Sequence, residues 1–83
     1  MAQQACENDK DRERREAIRE FFRVYNSLKK RRALRWGSHS DKKGSWIEIW
    51  EYRNNGEIRT ICRVKAENST ECYQMAAECL KSE

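Results

Sequence analysis

The chain has 83 residues, of which 37% are hydrophobic and 39% charged, and its 18 Lys and Arg against 14 Asp and Glu leave a net charge of +4. A chain this short buries only about 60% of the surface its unfolded form exposes, so it holds one domain with one thin core, to which dimerisation is a plausible supplement. No stretch approaches the ~18 consecutive apolar residues of a membrane helix, so no membrane partner is expected.

Residues 1–8 are polar and contain no apolar leader segment. They read as a disordered lead-in without a secretion signal, in a protein of the cytoplasm or nucleus whose thiols stay reduced. From Asp9 the pattern turns helical. Ile18, Phe21, Phe22, Tyr25 and Leu28 recur at the spacing of one helix face. Arg15, Arg19 and Arg23 run down the opposite side, with Asp11 and Glu16 placed to pair with Arg15 and Arg19. Acidic residues early and Lys29 to Arg32 late suit the helix dipole. The spacing predicts a helix over 9–31.

Ala33-Leu34-Arg35-Trp36 predicts a first strand at about 33–37, and Gly37 to Gly44 reads as a loop. Residues 45–53, rich in Trp, Ile and Tyr, predict a second strand, and 57–65 a third. Between them, Asn55-Gly56 suits a two-residue type I′ hairpin turn. That turn would place Arg53 opposite Ile58, Glu51 opposite Thr60, Ile49 opposite Cys62 and Ile47 opposite Val64 on the core face. The other face would pair Tyr52 with Arg59, Trp50 with Ile61, Glu48 with Arg63 and Trp46 with Lys65. Asn68, followed three residues later by Glu71, predicts a capped helix over 69–81. It would offer Cys72, Tyr73, Ala76, Cys79 and Leu80 to the sheet. The order is α-β-β-β-α, a small single α+β domain over 9–83 with a three-stranded antiparallel sheet packed by two helices.

Catalytic machinery is not expected. His39 is the sole histidine, and Ser38-His39-Ser40 are neighbours in the chain, whereas a triad needs side chains converging from separate elements. The three glycines are isolated and form no phosphate loop, so no cofactor is expected. Cys6, Cys62, Cys72 and Cys79 lack the paired spacing of a zinc site. The last three read as small core residues. Cys72 and Cys79 lie two helical turns apart, beyond the reach of a disulfide between them.

Charge is concentrated. Between residues 29 and 43 stand Lys29, Lys30, Arg31, Arg32, Arg35, Lys42 and Lys43 against Asp41 alone, for a local charge of +6. Such a span attracts polyanions, although a basic helix end also serves solubility or localisation. The second feature is the sheet face bearing Trp46, Trp50, Tyr52, Arg59 and Arg63, residue types that stack on bases or anchor protein interfaces. Tyr52 opposite Arg59 suggests a cation–π pair. Two arrangements are open. In one, the first helix covers the tryptophans; in the other, both helices pack on the Ile47 and Ile49 side and leave the tryptophan face bare.

The resulting expectation is a non-enzymatic module that binds nucleic acid, DNA or RNA. Lys29, Lys30, Arg31, Arg32, Arg35, Lys42 and Lys43 would contact phosphates, and Trp46, Trp50, Arg59 and Arg63 would add groove or stacking contacts. The alternative is a small protein-binding regulator or inhibitor, of the kind phages direct at a host complex, or a homodimer through the tryptophan face. The helix–three strands–helix order resembles double-stranded RNA-binding domains. Those carry lysines at the start of the last helix, where this chain has Asn68-Ser69-Thr70-Glu71. The portion from Leu34 to Leu80 resembles DNA-binding modules that lay a three-stranded sheet in the major groove, which implies readers on Trp46 and its strand.

Overall fold

The structure, a computed structural model, describes residues 9–83; the expected disordered lead over 1–8 lies outside the described residues. Helix α1 spans Asp9–Lys29 and is followed by strands β1 (Leu34–Asp41), β2 (Gly44–Tyr52) and β3 (Ile58–Ala66), and by helix α2 (Ser69–Lys81). The strands form one antiparallel sheet in the order β1-β2-β3. This is the α+β arrangement expected from the hydrophobic periodicity.

Each boundary has a local cause. Helix α1 stops two residues before the expected end, because the amides of Arg31 and Arg32 both turn back to the Leu28 carbonyl, each at 3.0 Å. Helix α2 begins where Asn68, in an extended conformation, accepts a hydrogen bond from the Glu71 amide at 2.9 Å. That bond satisfies one of the helix's otherwise unpaired first-turn donors.

Two readings of the sheet are corrected. Residues 37–41, expected in a loop, continue β1 as far as Asp41, and only Lys42 and Lys43 turn the chain into β2. The Asp41 side chain holds that turn by accepting from the Lys43 amide at 2.7 Å. The β2–β3 connection is not a type I′ turn. That turn needs positive φ at both central residues, and among the described residues only Gly44 and Gly56 have positive φ. Instead Gly56 N–H donates to Arg53 at 3.0 Å and Arg53 N–H to Glu57 at 2.8 Å. This is a three-residue loop with Gly56 as its left-handed residue. The extra loop residue shifts the pairing to Tyr52–Ile58, Glu51–Arg59 and Trp50–Thr60, and a bulge between Ile49 and Trp50 then restores the expected Ile49–Cys62, Glu48–Arg63, Ile47–Val64 and Trp46–Lys65 pairs.

The core lies on one side of the sheet. Phe21, Val24 and Tyr25 of α1 and Cys72, Ala76, Ala77 and Leu80 of α2 cluster with Leu34, Ile47, Ile49 and Cys62. Trp36 of β1 is the hub of the aromatic part. Its ring lies 5.1 Å from Phe21, 5.3 Å from Phe22 and 6.3 Å from Tyr73, edge to face in each case. Tyr25 is stacked on Phe21 and donates its hydroxyl to the Leu34 carbonyl at 3.1 Å, which pins α1 to β1. Burial pushes the Tyr25 hydroxyl pKa up.

The cysteine reading is also corrected. Cys62 and Cys79 form a disulfide between β3 and α2, with Cα atoms 6.2 Å apart. The expectation of separate reduced thiols failed because it weighed only pairs within α2; the sheet brings a strand cysteine beneath the helix. Cys72 remains a free thiol, is fully buried, and has its pKa raised by that burial.

Candidate nucleic-acid interface

Side chains alternate across a strand, so the residues facing away from the helices follow from the register. They form cross-strand rows. His39, Trp46 and Lys65 make the first, Gly37, Glu48 and Arg63 the second, and Arg35, Trp50 and Thr60 the third, with Tyr52 and Ile58 at the end. Because both helices pack on the Leu34, Ile47 and Ile49 side, this face is bare. Of the two arrangements open from sequence, the second is the one found. Trp46 and Trp50 are half-buried by their neighbours on the sheet, and Tyr52 and Ile58 are exposed.

The face is organised by contacts between rings and charges. The His39 and Trp46 rings meet edge to face at 4.8 Å. The Lys65 ammonium sits 5.5 Å from the Trp46 ring centre, and the Arg35 guanidinium 5.8 Å from that of Tyr52. Both distances are in the range of cation–π attraction. Arg63 donates Nε–H to Glu48 at 2.8 Å. The Trp50 ring lies over Gly37: a Cβ there would come within 3.1 Å of the indole. Between Trp46 and Trp50 is a depression of about 200 Å³, whose lining includes Gly37, His39 and Glu48.

The sequence-derived basic span does not remain one patch. Arg35 is on the open face. Lys29, Lys30 and Arg31 stand at the end of α1, and Lys42 and Lys43 at the β1–β2 turn. From Arg35 to Lys42 is seven strand residues, roughly 23 Å at ~3.3 Å per residue. The cations therefore flank the sheet at both ends. Lys29 leans over its own helix, 5.9 Å from the Tyr25 ring.

Arg32 and Arg59 stand away from the face. Arg32 is half-buried and binds Glu51 through Nε at 2.7 Å and Nη2 at 3.0 Å, with Glu83 at 3.3 Å. These bonds raise the Arg32 pKa and lower that of Glu51, the hydrogen bond between them being the largest cause of each shift. Arg59 opposes Glu51 because the loop is one residue longer than expected, on the side that carries the helices, and so Tyr52 takes Arg35 as its cationic neighbour in place of Arg59. Ile61, expected beside Trp50, packs against the core for the same reason.

Conversely, His39, Glu48, Tyr52, Lys65 and Gly37 join the site. His39 and Gly37 were hidden by assigning 37–44 to a loop. The signal that places them is the alternation Arg35, Gly37, His39, legible once β1 is extended to Asp41. No group of three or more His, Cys, Asp or Glu among the described residues is arranged to hold a metal ion, and no helix among them is long and apolar enough to cross a membrane.

Comparison of the chain with protein-family models, with curated proteins and with solved structures finds no match.

Proposed function

We propose that this protein is a binding module for nucleic acid and that the uncovered sheet face is its contact surface. One observation carries the reading: Trp46 and Trp50 lie on the face that neither helix covers, among Arg35, Arg63 and Lys65, with Lys42 and Lys43 at one end. Five cations against Asp41 and Glu48 give this surface a net positive charge, and rings interleaved with cations serve both parts of a nucleic-acid chain, bases and phosphates. Arg32 takes no part, since its charge is met by Glu51 and Glu83. Glu48, together with the exposed Tyr52 and Ile58, would suit a protein partner equally well, and a regulator binding a protein through the same surface is the competing reading.

Nucleic acid is met inside cells, where thiols are held reduced. The reading therefore asks the face to keep its form when the Cys62–Cys79 bond is opened. The test is gel retardation with mixed-sequence DNA and RNA across a salt series. With about five phosphates engaged, log K should fall against log salt with a slope of about −3.5 to −4.5. Lys42→Glu combined with Lys43→Glu should weaken binding to all sequences alike and flatten that slope. Absence of retardation for every DNA and RNA at low salt would discard the proposal.

A further inference from the structure

We infer that the open face takes a single strand, not a duplex, and that the depression between Trp46 and Trp50 receives one of its bases, with guanine preferred. This rests on the nucleic-acid reading above and deepens it.

Shape is the first argument. In a duplex the base edges are recessed in a groove, so a protein that reads them must project a ridge. Here the centre of the face is hollow. Trp46 and Trp50 both line the hollow, and the Trp50 ring reaches over Gly37, which has no side chain to oppose it. A single strand has unstacked bases that splay outward, and hollow or flat surfaces lined by rings receive them. Trp46 and Trp50 are four residues apart on β2, roughly 13 Å at ~3.3 Å per residue. A strand crossing the face along β2 can therefore meet both rings. The depression of about 200 Å³ has room for one base.

Charge is the second argument. Glu48 lines the hollow and accepts from Arg63 Nε through one carboxylate oxygen at 2.8 Å. On a hollow face that does not enter a groove, a carboxylate at the middle of a duplex contact would face phosphates and repel them. Set against an inserted base it is instead an acceptor for base N–H groups. Guanine alone among the common bases presents two adjacent donors, its ring N–H and exocyclic amine, on the edge exposed when it is unpaired, next to a carbonyl acceptor. The Glu48 carboxylate matches the two donors and the adjoining Arg63 guanidinium matches the carbonyl. Arg35 on β1 and Lys65 on β3 lie beyond this pair, with Lys42 and Lys43 at the β1–β2 turn, where the backbone of a strand crossing the face would run.

The experiment is a titration of the full chain, followed by tryptophan fluorescence and by anisotropy of a labelled strand. The ligands are an all-thymine nine-mer, the same nine-mer with a single central guanine, the RNA counterparts of both, and a duplex of the guanine strand. Stacking on Trp46 and Trp50 should quench the wild-type emission. The guanine strand should bind about tenfold tighter than the all-thymine strand, the range a bidentate base contact provides, and tighter than its duplex. Glu48→Gln should abolish the guanine preference, so that the guanine and all-thymine strands bind within about twofold of each other. Trp46→Ala should weaken both strands at least fivefold. Circular dichroism confirms that each variant is folded, and Trp46→Leu replaces Trp46→Ala if that variant is not. Binding the duplex as tightly as the strand overturns the inference and leaves the nucleic-acid reading standing, as does single-strand binding without a guanine preference. Failure to bind any of these ligands at low salt overturns both.

Discussion

Gly44 follows the β1–β2 turn with φ of 139°, a conformation that residues with a side chain rarely adopt. A Cβ there would lie 2.6 Å from the Ala66 carbonyl oxygen, which is strand backbone and cannot swing aside. Gly44→Ala should therefore cost at least the ~1–3 kcal/mol of a strained backbone, with the clash added. Urea denaturation measures this, and an unchanged midpoint would refute it. Gly56, also at positive φ, has nothing within 4 Å of a built Cβ, so Gly56→Ala should cost the conformational part alone. At this scale the sequence was partly legible. Phe21, Tyr25, Ile47, Ile49 and Leu80 declare themselves as core by their spacing, and all are buried. Arg32 and Arg35 do not declare their difference. Three residues apart in one basic run, the first is clamped by Glu51 and Glu83 and the second lies on the open face. What separates them is a pair of carboxylates 19 and 51 residues away, and no local pattern encodes that.

Between elements the strongest link is covalent. The Cys62–Cys79 bond ties α2 to β3 across a sequence separation of 17. Closing a loop of that length restricts the unfolded chain and stabilises the fold by roughly 3 kcal/mol. The paired substitution of Cys62→Ser and Cys79→Ser, or a strong reductant, should lower stability by about that amount. Denaturant titration with and without reductant is the check, and coincident curves would show that the bond contributes nothing. Binding of a labelled strand in reductant then shows whether the open face survives without the bond. Element order and the far half of the β2–β3 register were legible because binary patterning and the Asn-Gly signal are local. The near half was not. A loop one residue longer than the tightest hairpin and a compensating bulge cancel at Ile49, so the strands agree with a simpler turn everywhere except over Ile58, Arg59, Thr60 and Ile61, which change sides.

Across the whole molecule, carboxylates hold the layers together, which makes the fold sensitive to acid. Glu20 of α1 is held down to a pKa of about 2, from an ordinary 4.5, first by its hydrogen bond to Arg23 and then by its bond to Lys81 of α2. The contacts are 2.7 Å and 3.0 Å. Arg32, just past α1, likewise lowers the pKa of Glu51 on β2. In both cases the folded state binds a proton less readily than the unfolded chain. Their contribution is thus fully present above the ordinary carboxylate pKa and is lost as pH falls from about 4.5 toward 2 for Glu20. The Glu20 cluster is solvent-accessible, so salt should weaken it. Glu20→Gln should lower stability near neutral pH by the same amount by which it makes the decline between pH 4.5 and 2 shallower, an effect read from urea midpoints at each pH. A variant whose acid profile overlays that of the unsubstituted chain would show that the helix-to-helix bridge through Lys81 does not bear on folding. A shallower decline would mean instead that protonating one carboxylate loosens α1 from α2, on the side of the sheet opposite Trp46 and Trp50. Strand binding through Trp46 and Trp50 should then outlast the first loss of helix packing as the pH is lowered.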